Sequence, residues 1–132
     1  MEVSTRDANS AVGITIDSGN LFRPGSAELS AEGSEVLARL GGIVANFDDW
    51  KIDVEGHTDN QPIGGRLLER YPSNWELSVA RASSAVRFLQ NSGIDPATLS
   101  ARGFGETRPL DANDTPEARR KNRRVEVVLR KK

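Results

Sequence analysis

Asp59 and Arg81 are the two residues whose type and placement suggest binding chemistry. Asp59 ends the run Gly56-His57-Thr58-Asp59, and Arg81 lies in Leu77-Ser78-Val79-Ala80-Arg81-Ala82. Ile52 and Val54 alternate with polar residues, so a strand is expected over 51–57, with Asp59 just beyond its carboxyl end. Ser73 with Glu76 forms a capping box, so a helix is expected from Ser73, with Arg81 in its second turn beside Ser78. In helix-covered sheets, ligands favour the crevice at the carboxyl ends of strands. The first turns of a helix also favour anions. The pair could therefore frame a small zwitterion, with Asp59 holding an ammonium and Arg81 holding a carboxylate through a two-pronged hydrogen bond. Two plainer arrangements fit the same spacing. The two residues could pair with each other, or Arg81 could tie down the intervening loop.

Other chemistries find less material. The chain has no Cys, which removes thiolate nucleophiles, iron–sulfur clusters and sulfur-ligated zinc. His57 is the single histidine, too few for a His-rich metal site, and no nucleophile elbow surrounds it. It reads as a structural residue at a strand end. Asp53 and Glu55 lie two apart on the expected strand, so both point to one face, expected to be solvated, rather than forming a catalytic pair with Asp59. Gly103-Phe104-Gly105 lacks the full phosphate-loop spacing and reads as a tight turn. The basic run from Arg119 to Arg124 contains no aromatic residue, so base stacking is not signalled and no nucleic acid is expected. No catalytic residue, metal or cofactor is expected.

A chain of 132 residues suits one domain with one core. Its 36% apolar and 28% charged residues match a folded globular chain rather than a disordered one. No apolar run is long enough to span a bilayer. The first ten residues lack the apolar stretch of a signal peptide, which read literally means cytoplasm. Charge is uneven. Residues 102–132 carry 10 basic and 5 acidic side chains, and the remainder 8 and 14. Because Val125, Val127 and Leu129 alternate with the charges, this basic end is expected to be a strand with its charges in solvent.

The elements that must position these residues follow from periodicity. Val12, Ile14 and Ile16 mark a first strand. Asp17 to Asn20 is turn-rich, and Leu21 to Leu29 reads as an ordered loop. Ser30 caps a helix whose apolar positions run from Val36 to Phe47. The segment from Thr58 to Pro72 has no periodicity and reads as a long loop. The second helix carries a stripe of Trp75, Val79, Ala82, Val86 and Leu89, and Gly93 ends it. A short strand is expected over Leu99 to Gly105. A two-turn helix begins at Thr115-Pro116-Glu117, and a last strand covers Arg124 to Arg130. The order βαβαβαβ predicts an α/β (α+β) sandwich, with helices packed on a mixed four-stranded sheet.

Several of these segments together resemble the OmpA/MotB carboxy-terminal family of peptidoglycan-binding domains. They are Phe22 to Leu29, Ile52 to Ile63, Tyr71 to Ala82, Gly103 to Pro109 and Asn122 to Glu126. The resemblance covers residues 12–130 and implies a periplasmic domain over 11–132, with residues 1–10 a disordered or added leader. It implies non-covalent binding of the meso-diaminopimelate of the peptide stem, not catalysis. The family's signature Asp falls on Asp59 and its Arg on Arg81. Leu77 and Ser78 match residues lining the same pocket, and Thr58, Phe22, Asn122 and Arg123 match positions near it. The Thr58 to Ile63 and Pro72 to Ser78 segments are similar to the flagellar stator branch, although Gly64 to Arg70 looks longer than in many of its members. Such domains anchor a larger envelope protein to the wall, in some branches as a homodimer, and reach the periplasm through a signal peptide or membrane anchor. The chain is accordingly expected to be an excised domain, with Met1 supplied for expression and any membrane contact made through a missing amino-terminal anchor.

Overall fold

The computed structural model describes residues 2–6 and 11–132. Its strands are β1 (Glu2–Arg6), β2 (Ala11–Asp17), β3 (Trp50–His57), β4 (Leu99–Gly103) and β5 (Arg124–Lys131). Its helices are α1 (Ser18–Leu21), α2 (Ala31–Val44), α3 (Arg66–Arg70), α4 (Asn74–Asn91) and α5 (Pro116–Asn122). A 3-10 turn, Pro96–Thr98, precedes β4. The strands form one sheet in the order β1-β2-β5-β3-β4. Among the described residues only the β3–β4 pair is parallel, so the sheet is mixed as expected. Among those residues it has five strands rather than four. The added strand is β1, which pairs antiparallel with β2 and occupies part of the segment expected to be a leader. Residues 1 and 7–10 of that segment lie outside the described residues.

The helix ends follow the capping chemistry. Ser30 accepts from Gly33 N, Thr115 from Ala118 N and Ser73 from Trp75 N, contacts worth about 1 kcal/mol each. The Ser73 hydroxyl also donates to Glu76 Oε1 at 2.6 Å. The turn-rich segment after β2 is itself a single helical turn, α1, capped by Asp17. The bridge Phe22↔Leu29 then closes the loop that follows. The long segment after β3 also contains a short helix, α3, which has no apolar periodicity to announce it.

The core lies between one face of the sheet and helices α2 and α4. Ile14, Ile16, Ile52, Val54, Val125, Val127 and Leu129 meet Leu37, Leu40, Val44, Ala82, Ala85 and Leu89. Two expected members of the α4 stripe leave it. Trp75 and Val79 are 52% and 43% exposed, because the first two turns of α4 lie over the end of the edge strand β4 and the turn after it. Val79 lies against Gly103, the end of β4, and Trp75 lies beyond it beside Gly105. Within the core, Gly56 of β3 fits beneath the backbone of Ser78 on α4, where any Cβ would strike Ser78 O.

The opposite face corrects two expectations. Asp53 and Glu55 are buried rather than solvated, and so are Arg124 and Glu126 of the basic strand. The register explains it. On β3, which lies between β4 and β5, Asp53 faces Ser100 and Glu55 faces Arg102 on β4, while Glu55 also faces Glu126 and His57 faces Arg124 on β5. Long side chains on both flanks cover one another, and their charges compensate. Asp53 accepts from Ser100 Oγ at 2.9 Å and pairs with Arg102 Nε at 3.2 Å. Arg124 Nε donates to Glu126 Oε2 at 2.6 Å, and its other nitrogens reach Asn122 O and Arg108 O. His57 is buried, with Nε2 3.7 Å from Glu55 Oε1 and 3.6 Å from Glu126 Oε2, and it stacks on Phe104.

Two predictions follow from this packing. Gly56→Ala should destabilise the fold by about 3 kcal/mol, the upper end of the overpacking range, because the obstacle is backbone. Urea unfolding would read this as a lower midpoint, and an unchanged midpoint would contradict the close approach. Burial pushes the His57 pKa below its ordinary 6.5, with Arg124 and Arg108 reinforcing and Glu55 opposing. The unfolded chain therefore takes up this proton first, so stability is full above 6.5 and declines as pH falls below it. Melting temperatures between pH 7.5 and 5.5 should fall for the wild type, and His57→Gln should flatten that slope.

Candidate ligand-binding cleft

Asp59 follows the end of β3, where Thr58 fixes the chain direction. Thr58 N donates to Gly105 O, and its hydroxyl donates to Asp59 O. Asp59 Oδ1 accepts from Gln61 N at 3.0 Å. Asn74, in the first turn of α4, donates to Asp59 O and Gln61 O and so fastens the start of the loop to the helix. Asp59 does not pair with Arg81. Its Oδ2 accepts from Arg123 Nη1 at 2.8 Å, with the Asp59 side chain 8% and the Arg123 side chain 41% exposed.

Arg81, one turn beyond Ser78, is half-buried. Its Nε donates to Ser26 O at 3.1 Å, and its guanidinium carbon lies 5.2 Å from the centre of the Phe22 ring. It thus ties down a loop, but the loop is the one between α1 and α2, not the one after β3. Among the described residues no carboxylate forms an ion pair with Arg81. Burial lowers its pKa, Tyr71 and Asp59 oppose that, and Arg123 reinforces it. The site therefore holds a partly desolvated cation without a paired anion, a position that favours an incoming carboxylate.

Phe22, Arg81 and Arg123 line one cleft of about 280 Å³, together with Ser18, Gly19, Arg23, Pro24 and Gly25. Asp59 lies behind Arg123 rather than on the cleft wall. The other expected site residues face elsewhere. Leu77 is buried. Ser78 donates to Trp75 O and accepts from Gly105 N, so its hydroxyl serves the α4–β4 contact. Asn122 is fully buried. Its Oδ1 accepts from Leu110 N and Asp111 N, and its Nδ2 donates to Asp111 O and Asn113 Oδ1. That use of its whole amide holds the loop before α5 and directs the chain into Arg123. Sequence reasoning did not single out Arg23, Pro24 and Gly25 for the cleft. Their one local signal is the Pro-Gly turn itself, whose Gly25 has φ +63°.

Comparison with known proteins bears on the family and the fold. A family model described as OmpA family matches residues 21–123, a span holding Phe22, Asp59, Arg81 and Arg123. Motility protein B of Bacillus subtilis is 34% identical over 129 residues, covering 97% of this chain and 48% of that protein. Peptidoglycan-binding protein ArfA of Mycobacterium tuberculosis is 30% identical over 123 residues, covering 93% of this chain and 36% of that protein. The chain thus spans about half or less of the length of these relatives. The solved cell wall anchor of the T6SS from Pseudomonas aeruginosa superposes with a TM-score of 0.87 at 34% identity, covering 98% of this chain and 88% of that one. With nearly the whole fold and most of the sequence accounted for, the chain belongs to the OmpA family.

Proposed function

We propose that this domain binds peptidoglycan non-covalently and anchors a larger envelope protein to the cell wall. The ligand group is the meso-diaminopimelate of the stem peptide, which presents an ammonium and a carboxylate at one carbon. The observation that carries this reading is the arrangement at the cleft, where Arg81 lacks a carboxylate partner among the described residues and Asp59 lies close behind Arg123. Arg81 takes the carboxylate, Asp59 takes the ammonium, and Phe22 supplies an apolar wall. The names of the mycobacterial and Pseudomonas relatives support a wall ligand. The role is binding rather than catalysis, and the place of action is the periplasm.

The larger protein is a flagellar motor stator subunit, a reading supported by the similarity to Motility protein B along nearly the whole chain. A wall anchor unconnected with motility is the second reading, favoured by the likeness to the Pseudomonas anchor. Charge-assisted hydrogen bonds contribute about 1.5–3 kcal/mol each, and association costs offset much of that. A single stem should therefore bind with a dissociation constant on the order of micromolar to millimolar. Firm attachment then comes from several domains on one polymer, which a homodimer would provide.

Co-sedimentation with purified sacculi tests the reading. The domain should pellet with them, and excess free meso-diaminopimelate should release it. Asp59→Ala and Arg81→Ala should each weaken binding at least about tenfold, roughly 1.4 kcal/mol, while remaining folded. Normal pelleting by both variants would refute the site assignment, and release of soluble muropeptides would refute the binding-only role.

A further inference from the structure

Arg123 occupies the place that the reading above gives to a ligand. Its Nη1 lies 2.8 Å from Asp59 Oδ2, so the carboxylate meant for an ammonium already holds an internal cation. Asp59 is 8% exposed and is screened from the cleft by that guanidinium, while Arg123 is 41% exposed and so has room to move. A ligand ammonium therefore reaches Asp59 by exchange with Arg123.

The surroundings decide which ligands can make that exchange. Arg123 forms a shared wall between the cleft already described and a second one of about 330 Å³. The second cleft is lined by Arg120, Lys121 and Arg124, with Thr15, Asp17 and Leu110. The carboxylates on that side are engaged. Glu126 holds Arg124, Asp111 lies 3.8 Å from Lys121, and Asp17 caps α1 by accepting from Gly19 N at 2.7 Å. On the other side stands Arg81, also a cation. An Arg123 displaced from Asp59 thus lies among like charges. A bare amine would leave it there with Asp17, already capping α1, as the one carboxylate lining that cleft. A zwitterion brings its own carboxylate, which can sit between Arg81 and the released Arg123.

We propose that Arg123 is a specificity-determining residue, an internal cation that admits to Asp59 only an ammonium arriving together with a carboxylate. This rests on the zwitterion reading of the cleft. The Asp59–Arg123 ion pair closes the site to simple amines, and the ligand's carboxylate compensates for opening it.

Isothermal titration calorimetry with meso-diaminopimelate and with 1,5-diaminopentane, which has the same chain without the carboxylates, tests the exchange. The wild type should prefer meso-diaminopimelate by 100-fold or more. In Arg123→Gln, diaminopentane should bind at least tenfold more tightly than to the wild type, and the preference should shrink by at least that factor. Arg123→Lys, which keeps a cation, should retain most of the preference. A ratio unchanged in Arg123→Gln, with wild-type binding of meso-diaminopimelate intact, would overturn the exchange alone. Absence of meso-diaminopimelate binding by the folded wild type would overturn the zwitterion reading as well.

Discussion

The close approach of α4 to β3 is the constraint on which the site depends. Gly56 lies under the Ser78 backbone, a contact that no side chain at position 56 could allow. Gly103 makes the corresponding approach from β4, beneath Ser78 and Val79. These two contacts set the helix on the sheet at one height. Asp59 then emerges just beyond β3, and Arg81 one turn along α4 from Ser78. Asn74 and the Ser78 hydroxyl reinforce the placement by tying α4 to the Asp59 loop and to Gly105. The helix is thus placed by backbone-level packing, and the charged groups add only local ties, Arg81 to Ser26 O and Asp59 to Gln61 N.

The cations at this end of the sheet differ in what surrounds them. Arg124 is buried, saturated by Glu126 and two carbonyls, and belongs to the fold. Removing one partner from such a pair strands a buried charge and typically costs about 3–5 kcal/mol. Arg123, next in sequence, is 41% exposed and holds the buried Asp59 through a single short contact. Water reaches one partner of that pair, which favours its exchange over that of the fully buried pair. Arg81 has a carbonyl and an aromatic face but no carboxylate partner among the described residues. A buried structural cation, the cation proposed to exchange and an open one thus stand together at this end of the sheet.

Much of this was legible in the sequence because it rests on local rules. Caps at Ser30, Ser73 and Thr115, and alternation in β2, β3 and β5, are short-range signals and gave these elements their types. The placement of Asp59 and Arg81 near one end of the sheet followed from two element boundaries. What failed depends on long-range register. Burial of Asp53, Glu55 and Glu126 comes from neighbours on β4 and β5, which no local pattern on β3 reveals. The polar strand β1 and the single-turn α1 and α3 are too short or too polar to carry a periodic signal. The ion pair of Asp59 with Arg123, 64 positions apart, is likewise a product of topology. Resemblance drew attention to Asn122 and Ser78, but their hydrogen bonds show these side chains positioning backbone rather than facing the cleft.

The most direct test of the account is where the ligand lands. Amide chemical shifts of the isotope-labelled domain, followed during titration with meso-diaminopimelate, would locate it. Saturable shifts should concentrate at residues 18–25, 58–61, 78–82 and 122–124, the segments that meet around Arg81 and Asp59. Saturable shifts centred instead on the surface of Tyr71, Trp75 and Val79, with those segments unmoved, would contradict it.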